Sequence, residues 1–190
     1  AAVLASLRWP GRPELPAGNP AWTYMVHHPH GGFALFVGEL AAEPGESTPL
    51  SSNAAGSRAG AAQPFEVWVN GAEQPRGLGA VAKTLSMDMR ANDRAWLAMK
   101  LDALAGIVGD DAFEMRFPPH GEPRKVPSVV SAMAQAVRWR CEQLHTFDER
   151  GPSPVLDHMF SVEEPRTGTD GTLAWTVDIT HPTAGDEFVV

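Results

Sequence analysis

Seventeen prolines punctuate the 190 residues, and their placement restricts where regular structure can form. Proline fixes φ, lacks a backbone N–H and pushes the residue before it out of the helical region. Pro10, Pro13, Pro16 and Pro20, interleaved with Gly11 and Gly18, therefore make residues 1–21 an extended arm and not a helix. With 18 glycines, Gly and Pro reach about 18% of the chain, above the roughly 12% average but below the low-complexity range. A folded core with long irregular connections is the expectation.

Between the punctuation marks the pattern alternates between two periods. Residues 22–28 are rich in aromatic and β-branched side chains, Pro29-His30-Gly31-Gly32 is a turn signal, and residues 33–40 read as a second strand, so the pair predicts a hairpin. Residues 41–63 hold mostly Ala, Gly, Ser, Pro and Glu. So little apolar surface cannot offset the entropy of ordering, and a flexible loop is expected there. Pro64 ends it. Phe65, Val67 and Val69 then share one face of a third strand, closed by the turn dipeptide Asn70-Gly71. Three helical stripes follow: Leu78, Val81, Ala82, Leu85 and Met89; Leu97, Leu101, Leu104 and Val108, with Asp93 as N-cap; and Val130, Met133, Ala134, Val137, Cys141 and Leu144. A proline-bearing loop over 109–126 separates the last two, and Pro127 suits the first turn of the third helix. Gly151-Pro152-Ser153-Pro154 marks a boundary. Leu173, Trp175, Val177 and Ile179 alternate with polar or small residues as a strand, and residues 187–190 begin a partner that stops abruptly, as in a truncated chain.

The predicted fold is therefore α+β: a small antiparallel β-sheet packed with about three α-helices, plus a C-terminal β-hairpin or meander. Its parts are an arm over 1–21, an α+β domain over 22–147 that includes the 41–63 loop, and a β element over 155–190. Phe65, Trp68 and Trp22 are assigned to the core in preference to an interface.

Composition excludes several functions. No apolar run approaches the roughly 20 residues a membrane-spanning helix needs, and residues 1–7 lack the basic segment of a signal peptide. The net charge of −8 repels nucleic-acid phosphate on average, and the basic spots at Arg124-Lys125 and at Arg138 and Arg140 are small. One cysteine, Cys141, excludes an internal disulfide and any Cys-rich metal site, and a reducing, cytoplasmic compartment is the natural reading.

Candidate chemistry is sparse. In His27-His28-Pro29-His30 only His28 and His30 can share a face of a strand, and two imidazoles without a third ligand make a polar turn more readily than a metal centre. Cys141 and His145 lie four apart on a predicted helix, yet the cysteine falls in the apolar stripe, where it behaves as a small hydrophobe. Gly77-Leu78-Gly79-Ala80-Val81-Ala82 spells G-x-G-x-x-A. It lies seven residues beyond the strand end at Asn70 and is followed by no ribose-binding acid, so it reads as a helix start, or as small residues for close packing, and not as a dinucleotide fingerprint. Asp110-Asp111 and Glu163-Glu164 read as solvated loop carboxylates. Gly77 and Gly79, with Arg124 and Lys125, remain the candidates for holding an anionic ligand or a partner. No residue is assigned a catalytic or cofactor-binding role.

One ordered set of segments resembles a known family. Arg12-Pro13-Glu14-Leu15-Pro16, then Thr23-Tyr24-Met25-Val26, Phe33-Ala34-Leu35-Phe36-Val37 and Pro64-Phe65-Glu66-Val67-Trp68-Val69-Asn70, are followed by helices near 78–90 and 97–107 and by Lys125-Val126-Pro127-Ser128. Over residues 10–145 this order is similar to the C-terminal or accessory portion of adenosylcobalamin-dependent (class II) ribonucleotide reductases, the T-S-C-P-D-like region, which some bacteria encode as a separate subunit. Where T-S-C-P-D members carry a cysteine this chain has Val126, so the resemblance implies no zinc site. It implies a non-catalytic accessory domain or subunit that supports deoxyribonucleotide synthesis. The catalytic chain of the reductase would be its partner, and adenosylcobalamin would be bound by that partner. Cysteine chemistry agrees, because a lone thiol cannot run the dithiol–disulfide cycle that such a reductase requires. Two alternatives stay open: a stand-alone module binding a small ligand or protein in the groove between sheet and helices, and a metal enzyme built on the histidine turn. The arm and exposed strand edges are the candidate partner surfaces.

Overall fold

The computed structural model describes residues 7–41, 62–71, 75–109 and 112–148, together with the backbone of two short strands at 178–180 and 187–189. The chain divides into two units, Ala1–Asp157 and His158–Val190.

The first unit is α+β. Strands β1 (Ala21–His28), β2 (Gly31–Leu40) and β3 (Gln63–Asn70) form an antiparallel sheet in the order β1-β2-β3. The β1–β2 turn is just Pro29-His30, with His28 opposite Gly31. Alternation sets the faces. Val26, Phe33, Leu35, Val37, Val67 and Val69 are buried on the inner side, whereas Met25 and Trp68 are open on the outer one. Phe65, the unpaired residue at a bulge opposite Gly38 and Glu39, is buried outside that cluster, with its ring against Trp9. Gly38 stands opposite Glu66 on that outer side, and a Cβ on Gly38 would come within 2.6 Å of the Glu66 side chain. It would also come within 2.9 Å of the Phe65 ring, so only glycine leaves these two side chains room.

Three helices pack with the sheet, one along β3, one across all three strands and one on the other two helices. They are α1 (Leu78–Arg90), α2 (Arg94–Ala105) and α3 (Val129–Gln143). Helix α3 packs against α2 and touches all three strands of the sheet as well as a further strand at Glu122–Val126. Its Ala132, Ala134 and Ala136 are fully buried, since short side chains let neighbours approach from more than one side. Both later helices are capped by side chains. Asp93 accepts from the Trp96 amide at 2.8 Å, as expected, and Ser128 accepts from the Ser131 amide at 3.0 Å. Pro127 thus precedes the cap and does not occupy the first helical turn. Helix α2 ends at Ala105, so Val108, expected in its stripe, lies beyond it and is exposed.

The loop expected over 109–126 is instead a hairpin, β4 (Phe113–Phe117) with β5 (Glu122–Val126). Phe113, Met115 and Phe117 are buried and Glu114 and Arg116 exposed, a period of two that the neighbouring prolines obscure. Pro123 is tolerated because β5 pairs with β4 alone. The hairpin lies beside β1, where the Tyr24 hydroxyl donates to the Arg116 carbonyl.

Of the arm expected over 1–21, residues 1–6 lie outside the described residues; from Leu7 onward it holds no helix and is docked on the rest of the first unit. Leu7 bridges Ala91, the Arg8 amide donates to the Arg90 carbonyl at 2.8 Å, and the Trp9 ring meets Phe65 edge-on. Arg12 grips Glu66 through two bonds of 2.6 and 2.9 Å. The 41–63 loop lies outside the described residues except Ala41, Ala62 and Gln63, and β3 begins at Gln63 with Pro64 already opposite Glu39. In the second unit β6 (Asp178–Thr180) pairs antiparallel with β7 (Glu187–Val189). The strand expected to start at Leu173 lies outside the described residues as far as residue 177.

Candidate functional site

The sulfur is the first test of chemistry. Cys141 is fully buried on α3, and burial pushes its thiol up to about 12 against a smaller opposing pull from Arg94. It is a protonated thiol at neutral pH, out of reach of a substrate or disulfide. His145 does not touch it. That residue ends the helix in the left-handed conformation, φ 56°, and its Nδ1 lies 3.0 Å from the Asp148 carboxylate. The Cys–His pair is not assembled.

The histidine turn is likewise incomplete. The His28 and His30 rings are 6.2 Å apart, and His28 also packs against Phe33 and Phe113. Among the described residues no three His, Cys, Asp or Glu side chains converge as metal ligands.

Gly77 and Gly79 start α1. Gly77 is the N-cap with φ 81°, a conformation glycine adopts without strain, and it offers no side-chain oxygen to the helix amides. A Cβ on either glycine would meet nothing within 4 Å, so neither serves close packing. Arg124 and Lys125 are exposed on β5, where the Arg124 guanidinium stacks 5.2 Å from the Phe117 ring centre. Helix α1 packs along β3 and the β4–β5 hairpin lies beside β1, at opposite ends of the sheet. These four residues do not form one site.

A groove forms elsewhere, between β3 and α1. Its volume is about 450 Å³, and Trp68, Gly79, Lys83, Ser86 and Arg90 line it together with the Arg12–Glu66 pair. Gly79, Lys83, Ser86 and Arg90 recur at helical spacing, so one stripe of α1 forms one wall. The opposite wall is Trp68, 61% exposed and directly across from Phe36 on the outer face of the sheet. The sequence expectation put Trp68 in the core with Phe65 and Trp22. Phe65 is fully buried, at the bulge and against Trp9, and Trp22 is partly buried between Tyr24 and Trp139, but Trp68 has the opposite parity to Val67 and Val69 and faces water.

At the floor, Ser86 closes the free edge of β3. Its hydroxyl accepts from the Val67 amide at 2.9 Å and lies 3.0 Å from the Val67 carbonyl. A helix side chain thus replaces the missing neighbour strand, so this edge is not the bare partner surface that the sequence suggested. The charges are uneven. Glu66 is held by Arg12, whose guanidinium pKa is raised chiefly by that hydrogen bond. Lys83 and Arg90 have no ion-pair partner among the described residues. The lining is therefore net positive on a chain of net charge −8. What signalled the groove in the sequence was Gly79, Lys83 and Arg90 on one face of α1; what could not be foreseen was that Trp68 would face them.

Among the described residues no helix is long and apolar enough to cross a membrane. No protein-family model, no curated protein and no solved structure matches this chain.

Proposed function

We propose that this chain is a non-catalytic accessory domain or subunit that acts in the cytoplasm through a partner, the catalytic chain of a cobalamin-dependent ribonucleotide reductase. Adenosylcobalamin belongs to that partner in this reading. The observation that carries the non-catalytic half is Cys141: a single thiol, fully enclosed and held protonated, has no second cysteine in this sequence with which to cycle. The reductase half stands on the resemblance, whose segments correspond to the arm, β1, β2, β3, α1 and α2 in that order. With the arm docked and the β3 edge closed at Val67, the outer face of the sheet, where Met25 and Trp68 are open, is a surface available to a partner. Co-purification with a large cobalamin-binding reductase chain, and reductase activity requiring both, is the expected result. A large chain that is fully active alone and does not bind this one would end the proposal.

A second reading is favoured by the groove: a binding module whose ligand sits between sheet and helix. A cavity of about 450 Å³ falls within the range of roughly 300–1,000 Å³ typical of small-ligand sites.

A further inference from the structure

We propose that the β3–α1 groove binds a small anion carrying a flat aromatic group, with the ring against Trp68 and the negative charge between Lys83 and Arg90. The inference deepens the binding-module reading and does not depend on a catalytic partner.

Three observations converge on that ligand class. An indole with 61% of its surface in water, forming the wall of a concave site, offers a flat apolar platform. Lys83 and Arg90 project from the facing helix without carboxylate partners among the described residues, while the one acid in the lining is occupied by Arg12. Cations that meet an anion in a site partly closed to solvent form charge-assisted hydrogen bonds, which are stronger than neutral ones. The site also rejects the converse ligand, because a cation stacked on Trp68 would face both Lys83 and Arg90. The third observation is Gly79, on the same stripe of α1. It lacks a side chain where an added Cβ would meet nothing, so the upper end of the groove stays open. The volume suits a small molecule better than a folded partner.

Gly79 also supplies a clean test. Gly79 has no positive φ and an added Cβ meets nothing within 4 Å, so Gly79→Glu introduces no backbone strain and no clash at its Cβ. It places a carboxylate four residues before Lys83 in the first turn of α1, which favours the helix while occupying the cation and narrowing the groove. The full chain would be titrated with ATP, with tripolyphosphate and with adenosine by calorimetry, and the Trp68 indole N–H followed by NMR after assignment through Trp68→Ala. ATP is the probe because it joins a flat ring to a polyanion that can be tested separately. The expected result is saturable ATP binding that shifts the Trp68 signal, weakens with salt, and falls about tenfold or more in Gly79→Glu and in Lys83→Glu, with each half-ligand binding more weakly. Tripolyphosphate binding as tightly as ATP would overturn the aromatic half of the proposal. ATP binding unchanged in both variants would overturn the groove while leaving the binding-module reading intact. No binding of any probe, or tighter binding of an acidic peptide such as oligoglutamate, would overturn the ligand class.

Discussion

Replacing Ser86 by alanine removes the group that ends the sheet. Its hydroxyl accepts the Val67 amide proton at 2.9 Å, and its single hydrogen serves either the Val67 carbonyl at 3.0 Å or the Ala82 carbonyl at 2.9 Å. Ala82 lies one turn earlier in the same helix, so its carbonyl has the helical bond as well, and the Val67 groups bear the loss. Val67 is 1% exposed and Ser86 is 8% exposed. A buried donor stripped of its acceptor costs about 1–3 kcal/mol. Alanine is the better helix former by about 0.5 kcal/mol, which offsets part of that. The groove beside Ser86 admits water to the vacated position, which keeps the cost away from the upper end of the range. Ser86→Ala should therefore lose about 1–2 kcal/mol net. Urea unfolding followed by tryptophan fluorescence measures it, with the slope against denaturant unchanged. Thr84→Ala is the control. Among the described residues its exposed hydroxyl bonds only to the Val81 carbonyl of its own helix, so stability should move by less than about 0.5 kcal/mol. If Ser86→Ala is as stable as the parent while unfolding in one transition, the hydroxyl does not close the edge of β3 and the account of that edge is wrong.

The two aromatic residues of β3 should respond oppositely to truncation: Phe65→Ala, at a fully buried site, should lose about 3–5 kcal/mol, whereas Trp68→Ala should stay within about 0.5 kcal/mol by the same urea assay. Because the folded Cys141 thiol is raised to about 12 from 9.0, the unfolded chain releases its proton first, so its contribution to stability is intact below about pH 9 and is lost as pH rises toward 12. Comparing the parent with Cys141→Ala across that window should show the decline only in the parent, and a thiol reagent at pH 8 should label Cys141 only after unfolding. Asp93→Ala removes the cap on the Trp96 amide and should cost about 1 kcal/mol, which thermal unfolding would read as a lowered midpoint. Arg12→Ala breaks a two-bond pair whose arginine is half exposed; the global loss should be under about 1 kcal/mol, while limited proteolysis of the arm should accelerate.

The order and type of most elements follow from local rules acting on the sequence. Alternation over 65–69 makes a strand whatever surrounds it. The Leu78 to Met89 spacing makes a helix, Asp93 caps the next one, and the prolines of the arm forbid anything but an extended chain. The same rules identified Cys141 as interior, because its place in the stripe of α3 is a property of the helix alone. Local rules failed where two of them competed. Phe113, Met115 and Phe117 carry a strand pattern, but Pro118, Pro119 and Pro123 carry a loop pattern, and only pairing of β4 with β5 beside β1 decides between them.

Beyond the stripe of Gly79, Lys83 and Arg90 on α1, the candidate site belongs to tertiary structure. Parity along β3 separates Trp68 from Val67 and Val69, but which parity faces water depends on where the helices pack, and no window of sequence contains that choice. Nor does any local pattern reveal that the arm returns to Glu66, that Ser86 takes the place of a fourth strand, or that Lys83 and Arg90 look across at an indole 15 or more positions earlier in the chain. Spacing along a chain determines which residues share a face. Burial, charge balance and the shape of a groove arise only when faces from distant segments meet.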